Sequence, residues 1–503
     1  MNKRKNLTLE ETFSLAVQNQ QKNNFNVAER LYNEVLNINP NHLDSIFLLG
    51  TLFAQTKKFD KAKQLLNKAI TINPNFSDAH YNLGIVLKEL KEYKKEMACY
   101  EKAIQINPNF ASAHNNLGNV LKELKEYKKA INSYQKAIQI NPNYVHAHNN
   151  LGLVFHGLGD YQKAKSCYEK AIQINPNFAS AHNNLGIVFR ELVEFQKAIN
   201  FYQKAIQINP NFASAHNNLG LAFYELGGEN QKARSCYEKA IQIDPNYSDV
   251  YWNSHLLASD VDEALTILKK LYEIDKKYIK AKIMISVLES FKGNFSDFDA
   301  LNTPPESDHP LMRSARWIST LPKLPKIFFN RWDFFDAVVA LTDKSRPFYE
   351  FGVWTGTSFQ YLINTFKKGF GFDTFTGLPE DWHHERAGTY SSFGSVPKIE
   401  GGKFIVGKFE DTLPKFFSKK RPLASLINFD ADLYSSTLCA LNYSNKVIDE
   451  KTILIFDEFL TNKDWEKDEY KALQEFCHNF SISYDVLAVS FSTKQVAVKL
   501  KKN

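Results

Sequence analysis

The residues with the clearest chemical potential lie late in the chain. Two short apolar runs end in acids: residues 425–429 lead into Asp430-Ala-Asp432-Leu-Tyr434, and residues 453–456 lead into Asp457-Glu458. If the runs pair as neighbouring strands, four carboxylates meet at one sheet edge. Like charges packed that closely are costly unless a cation joins them, and oxygen-only ligands suit Mg²⁺ or Mn²⁺ better than zinc. The plainer alternative is helix capping after each strand, for which Asp is well suited.

Three further loops carry motifs. Glu350-Phe-Gly352-Val-Trp-Thr-Gly356-Thr357-Ser358 has the spacing E-x-G-x-x-x-G, so its glycines admit a close ligand without forming the G-x-G-x-x-G of a dinucleotide site. Asp373 follows Gly352 by 21 residues at the end of the next apolar run, where an acid commonly accepts ribose hydroxyls of an adenosine-containing cofactor. Glu410 and Asp411 follow a third run, where an acid can meet an adenine amine. Residues 377–400 show no periodicity, and loops that long commonly act as lids. This loop holds His383 and His384, second candidates for an acid or base, with surface lid residues as the simpler account.

The elements that must position these loops are legible too. Apolar runs at 348–351, 369–372, 404–406, 425–429 and 453–456 alternate with helical stretches, the first at 331–341, and residues 484–489 and 495–499 close as a hairpin. Alternation of this kind predicts a largely parallel, doubly wound sheet with ligands at the carboxyl ends of its strands.

The motifs EFGVWTGTSF, FDTFTGLPEDW, GKFEDTLPKF, FDADLYSST and FDEF, in this order, resemble the macrocin O-methyltransferase family of class I S-adenosylmethionine-dependent methyltransferases, over roughly residues 332–500. The resemblance implies a Rossmann-like α/β domain and metal-dependent methyl transfer to a hydroxyl, typically on a sugar of a glycosylated acceptor. It places Glu350, Gly352, Gly356, Thr357 and Ser358 along the cofactor's amino-acid end, Asp373 at its ribose, and Glu410 or Asp411 near the adenine. Asp430, Asp457 and Glu458 would hold Mg²⁺ (or Mn²⁺), and Asp432 would be the general base. Family members often carry two aspartates where this chain has Asp457-Glu458, and the segment ahead of the first strand is short, which bears on the acceptor pocket.

The first half is organised differently. INPN or IDPN recurs with prolines at 40, 74, 108, 142, 176, 210 and 245, and glycines fall at 50, 84, 118, 152, 186 and 220. This 34-residue period resembles the tetratricopeptide repeat, a helix–turn–helix whose small residues let the two helices approach. In residues 112–143, Leu117, Leu121 and Leu124 mark one face of the first helix, and Ala130, Tyr134, Ala137 and Ile138 mark that of the second. Seven regular units run to about residue 246, with Glu96 in place of alanine in the third and an extra residue at Gly227-Gly228-Glu229 in the seventh. An atypical eighth unit and a terminal helix near 280–291 cap the stack. Asn82, Asn116, Asn150, Asn184 and Asn218 recur two residues before each glycine and resemble the asparagine ladder of O-GlcNAc transferase, which implies a protein or peptide partner along the groove. His80, His114, His148, His182 and His216 also recur once per unit, a packing position rather than a metal cluster.

The predicted organisation is therefore an all-α superhelix over 8–299, a linker at 300–310, and an α/β doubly wound domain over 311–503. Composition excludes a disordered chain: 44% of the 503 residues are apolar and 23% charged. A net charge of +7 without a block of like charges gives little reason to expect nucleic acid, and the absence of a long apolar run gives none to expect a membrane span, so a cytoplasmic protein is expected. Five cysteines without metal spacing read as packing thiols. Two other functions fit less of the pattern: an interaction scaffold whose second domain binds cofactor without turnover, and a nicotinamide oxidoreductase, which the missing G-x-G-x-x-G disfavours.

Overall fold

The computed structural model describes residues 7–381, 387–389, 391–392 and 394–502, and the chain forms two compact units, Met1–Pro210 and Asn211–Asn503. None of the described helices is long and apolar enough to cross a membrane.

The first unit holds six antiparallel helix pairs, from Leu9–Gln21 with Phe25–Ile38 to Ala179–Glu191 with Phe195–Ile208. One pair shows why the sequence folds this way. In Ala111–Glu123 and Tyr127–Ile140, Ala130, Tyr134 and Ala137 are fully buried. A Cβ on Gly118 would sit 2.6 Å from Cε1 of Tyr134, so the glycine is the socket for the tyrosine ring. Gly84 with Tyr100, Gly152 with Tyr168 and Gly186 with Tyr202 repeat the arrangement. Leu124 departs from expectation: it follows the end of its helix and is 39% exposed, because the turn carries it off the buried face.

Each pair turns through one left-handed residue, at Asn23, Lys57, Lys91, Lys125, Gly159 and Val193. Only one of these is glycine. Val193, β-branched at φ 60°, is the most strained. The repeated histidines close the other turn: Nε2 of His80, His114, His148 and His182 meets the carbonyl of Pro74, Pro108, Pro142 and Pro176 at 2.9–3.1 Å. They act as packing groups. Cys99 and Cys167 are half-buried free thiols that burial pushes up to about 11. Glu96, where other units carry alanine, is buried and raised to about 7 by desolvation.

The second unit begins with the seventh pair, Ala213–Leu226 and Asn230–Ile243. Its extra residue lengthens the first helix to 14 residues and ends it at Gly227, φ 84°. Helices Ser248–Ser254, Val261–Ile274 and Ile279–Phe291 follow, then Ser296–Ala300 and Pro310–Ser319 around a 3-10 turn at Glu306–Asp308. The linker expected at 300–310 thus lies inside the second unit.

One apolar core explains this. It runs from Tyr237 and Val250 through Leu288 and Ile318 to Phe459 and Phe491. Polar contacts reinforce it, with His255 Nε2 3.2 Å from Ser492 Oγ and Thr461 N donating to Ser314 Oγ at 3.0 Å.

Among the described residues eight strands form one mixed sheet: β1 (Lys326–Phe328), β2 (Phe348–Phe351), β3 (Gly369–Asp373), β4 (Gly402–Val406), β5 (Leu426–Phe429), β6 (Ile453–Phe456), β7 (Ile482–Ser490) and β8 (Val496–Lys502). Their order is β1-β7-β8-β6-β5-β2-β3-β4. All neighbours are parallel except β8, which runs antiparallel to β6 and β7. Sequence reasoning missed β1, three residues directly after Pro325 at the sheet edge. Helices Arg331–Val339 and Thr357–Phe366 cover one face with Phe334, Phe335, Phe359 and Phe366. Helices Phe409–Phe416, Tyr434–Ser444 and Glu469–Phe480 cover the other with Leu413, Leu441 and Phe476.

The glycine sockets are directly testable. Gly118→Ala forces a Cβ into the Tyr134 ring and is expected to destabilise the protein by ~1–3 kcal/mol in urea unfolding, despite alanine's higher helix propensity. Gly50→Ala meets the flexible Leu66 side chain at 3.2 Å and Leu65 Cβ at 3.4 Å, and is expected to fall within about 0.5 kcal/mol of wild type. Equal losses at both sites would overturn the socket argument.

Candidate functional site

Strand order reverses at β2: the chain steps outward to β3 and β4, then returns to the other side as β5 and β6. The crevice at the carboxyl ends of β2 and β5 is therefore the topological switch point, where open α/β sheets bind ligands. Gly352 leaves β2 at φ 86°, and a Cβ there would stand 1.7 Å from the carbonyl oxygen of Asp430 at the end of β5. Only glycine permits this approach.

Asp373, ending β3, binds its neighbours. Its Oδ2 accepts from Val353 N and Trp354 N, both at 2.7 Å, and its Oδ1 from Phe375 N at 2.6 Å. It pins the glycine loop while retaining lone pairs for a further donor. Gly356, φ 84°, lies under Pro397 and Ile399. Thr357 opens the next helix, its hydroxyl 3.2 Å from that of Thr355. Ser358 is buried and donates to Glu350 Oε1 at 2.6 Å, so it orients the acid.

Glu350 itself is fully buried, with Oε2 lacking any partner. Burial is the main cause that lifts its carboxyl to about 8, with Ser358 opposing. Beside it in register on β5 lies Asn428, equally buried, with neither amide atom partnered. Unsatisfied buried polar atoms in a native fold call for water or a ligand. Asn428 is the residue sequence reasoning missed most avoidably, being the one amide inside the apolar run 425–429.

The carboxylates gather at the ends of β5 and β6. Asp430 and Asp432 are pushed well above the usual carboxylate range, first by desolvation, then by Asp457 for Asp430 and by Glu458 for Asp432. Asp432 holds a left-handed backbone, φ 59°, the kind of strain that clusters at functional sites. Glu458 is raised by desolvation against the pull of Lys494. Glu469, unflagged in the sequence because an acid opening a helix looks like a cap, is fully buried. Its Oε2 accepts from Glu458 N at 3.1 Å, its Oε1 has no partner, and desolvation holds it well above its ordinary value.

The expected metal set is not assembled. Asp457 Oδ2 pairs with Arg331 Nη2 at 2.6 Å and its Oδ1 accepts from Gln495 Nε2. Glu458 Oε2 is bonded by Lys494 Nζ at 2.8 Å and Asn462 Nδ2 at 2.6 Å. Among the described residues no three His, Cys, Asp or Glu side chains are placed to hold a metal ion. Two protein cations, Arg331 and Lys494, thus pair with Asp457 and Glu458. Glu410 and Asp411 are exposed in the first turn of Phe409–Phe416 and do not join this cluster.

The long loop is tied at its start to helix Tyr434–Ser444, Ser435 Oγ donating to Glu380 Oε1 at 2.8 Å, and bonds to itself through Leu378 N donating to Thr389 O at 2.8 Å. His383 and His384 lie outside the described residues.

The asparagine ladder bonds largely to itself. Asn150 Nδ2 donates to Asn115 Oδ1 and Asn119 Oδ1, both at 3.1 Å, and Asn184 Nδ2 to Asn149 Oδ1 at 3.0 Å. Asn116 Nδ2 reaches Tyr81 OH at 3.3 Å, and Asn82 Nδ2 turns back to Asp78 O at 2.8 Å. Asn218 accepts from Asn217 Nδ2, whose own Oδ1 accepts from Asn253. Asn116, Asn150 and Asn184 thus stitch consecutive repeats, whereas Asn82 bonds within its own helix.

Family models of the tetratricopeptide repeat match residues 87–125, 118–159, 145–178, 167–200, 188–227 and 213–247. The first 250 or so residues are a tetratricopeptide repeat array. A model of anaphase-promoting complex, cyclosome, subunit 3 matches residues 17–102. Among solved structures, that of MamA is 27% identical, covering 32% of this chain and 94% of that one, with a TM-score of 0.31. PilF of Pseudomonas aeruginosa is 27% identical over 42% of this chain and 95% of its own, TM-score 0.38. The Cut9–Hcn1 hetero-tetramer of the APC/C is 18% identical over 56% and 55%, TM-score 0.43. No curated protein matches the chain.

The buried acid yields a prediction about stability. A carboxyl raised from 4.5 to about 8 contributes stability that is fully present below pH 4.5 and lost as pH rises through 8. Glu350→Gln keeps the Ser358 bond without titrating. Thermal melts are expected to coincide near pH 4.5, with the variant melting progressively higher as pH approaches 8. A pH-independent gap would contradict the buried-acid assignment.

Proposed function

We propose that the second unit is an S-adenosylmethionine-dependent O-methyltransferase and that the repeat array recruits its protein partner or acceptor. The observation that carries this reading is the polar cradle at the switch point, where Gly352 is pressed against the Asp430 carbonyl beside the unpartnered Glu350 Oε2 and Asn428. The donor set suits that cofactor: buried acceptors for an ammonium group, an acid with spare lone pairs at Asp373, and hydroxyl and backbone donors where Thr357 opens a helix. Gly356, Glu410 and Asp411 line the same carboxyl side of the sheet in this reading.

When bound, the cofactor supplies an electrophilic methyl on a sulfonium. The chain's own residues do the rest. Asp432 takes the proton of an acceptor hydroxyl, and its raised affinity for protons makes it a stronger base than an exposed carboxylate. Its ionisation must precede transfer, so turnover rises with pH through its elevated pKa. The bond from Ser435 to Glu380 ties the start of the long loop to the helix that follows Asp432. The acceptor class is a hydroxyl of a sugar, a glycan or a glycosylated molecule.

Tetratricopeptide arrays generally serve as interaction scaffolds, and the asparagine row is the surface this array offers to a peptide. A scaffold with a non-catalytic cofactor domain is the second reading, favoured by the protein cations that hold Asp457 and Glu458. Calorimetric titration of S-adenosylmethionine into the full-length protein is expected to give a Kd on the order of micromolar. Asp432→Asn should leave that affinity within about threefold while reducing methyl transfer at least ~100-fold. Folded protein that does not bind the cofactor would sink the enzyme reading, and binding with equal transfer by the variant would remove Asp432 as the base.

A further inference from the structure

We propose that Arg331 and Lys494 are the resident counter-cations of the carboxylate centre, and that the centre takes no divalent metal. The inference deepens the methyltransferase reading by separating this chain from metal-dependent transfer. Asp457 is 4% exposed, and each of its oxygens already accepts a bond, from Arg331 and from Gln495. Gln495 is fully buried, so its amide has nowhere else to turn. Glu458 is held by Lys494 and Asn462.

Arg331 is not a mobile surface cation. It is the first residue of its helix, which Asn330 caps by accepting from Asp333 N at 2.8 Å. The next residue, Trp332, is buried and donates from Nε1 to the carbonyl of Tyr224 at 3.2 Å. A Cβ on Gly227 would meet the Trp332 ring at 2.8 Å, so the extra glycine of the seventh repeat leaves room for it. The helix start that carries Arg331 is thus anchored by its own cap and by the last regular repeat.

A metal at this centre would have to take Asp457 from two donors and leave a guanidinium beside a dication in a recessed space. Repulsion between the dication and the half-buried guanidinium, and the loss of the bonds that buried Asp457 already accepts, both oppose that exchange. The cation the carboxylates require is already supplied, and supplied in a form that cannot ligate. A guanidinium stays charged at all pH values the protein survives, so Asp457 keeps its counter-charge throughout.

The test uses Mn²⁺ alone as the probe, with free ion read by electron paramagnetic resonance on the full-length protein. Wild type is expected to leave the free Mn²⁺ signal unchanged up to about millimolar ion, and Arg331→Lys to do the same. Arg331→Met should take up about one Mn²⁺ per chain, because Asp430 and Asp457 are then left without their counter-charge. Stoichiometric uptake by wild type, abolished in Asp457→Asn, would overturn the proposal. So would Arg331→Met that keeps the wild-type circular dichroism spectrum and takes up none. If Arg331→Met does not fold, wild type against Asp457→Asn decides the matter. A parallel titration with S-adenosylhomocysteine in EDTA keeps the two ideas apart: its failure counts against the cofactor site and leaves the Mn²⁺ result standing.

Discussion

Glu350, Asp430, Asp432, Asp457, Glu458 and Glu469 lie within electrostatic reach of one another at the ends of β2, β5 and β6. Six acids cannot all ionise there unless positive charge is brought in. Arg331 and Lys494 bring it, one from the helix ahead of β2 and one from the turn before β8. The remaining acids adjust by holding protons more tightly than exposed carboxylates do. The tightness of the cluster and its protonation are two sides of one arrangement.

That arrangement depends on the backbone meeting itself closely. Gly352 and Asp430 touch across the switch point because β2 and β5 are parallel neighbours whose chains turn away to opposite sides. Glu350 and Asn428 then fall opposite each other on the face covered by helix Thr357–Phe366, sealed from solvent and short of partners. The sheet contributes rigidity, the glycine proximity, and the unsatisfied polar atoms a reason for a ligand.

The repeats contribute in two ways. In the first unit each glycine–tyrosine pair locks a helix hairpin, and each histidine–proline bond closes the turn to the next. The last repeats belong to the second unit through a common core, and Trp332 joins the seventh repeat to the helix that carries Arg331. The extra residue there reads in the sequence as an irregularity of the period; in three dimensions it is clearance for an indole.

Periodic and local features were legible in the residues alone. The 34-residue repeat, the atypical eighth unit, seven of the eight strands and the acids at strand ends all follow from spacing and apolar runs, because helices and strands answer to neighbours a few positions away. β1 was not legible, being three residues held by pairing with β7. The acids named for a metal show where residue order stops. Asp430, Asp457 and Glu458 are where acids at strand ends suggest, but what they bind is decided by Arg331, 126 positions from Asp457, and by Lys494 and Gln495. Residue order specifies which groups end each strand; only the tertiary fold decides which charges face each other, since electrostatic partners are chosen by distance in space and not along the chain.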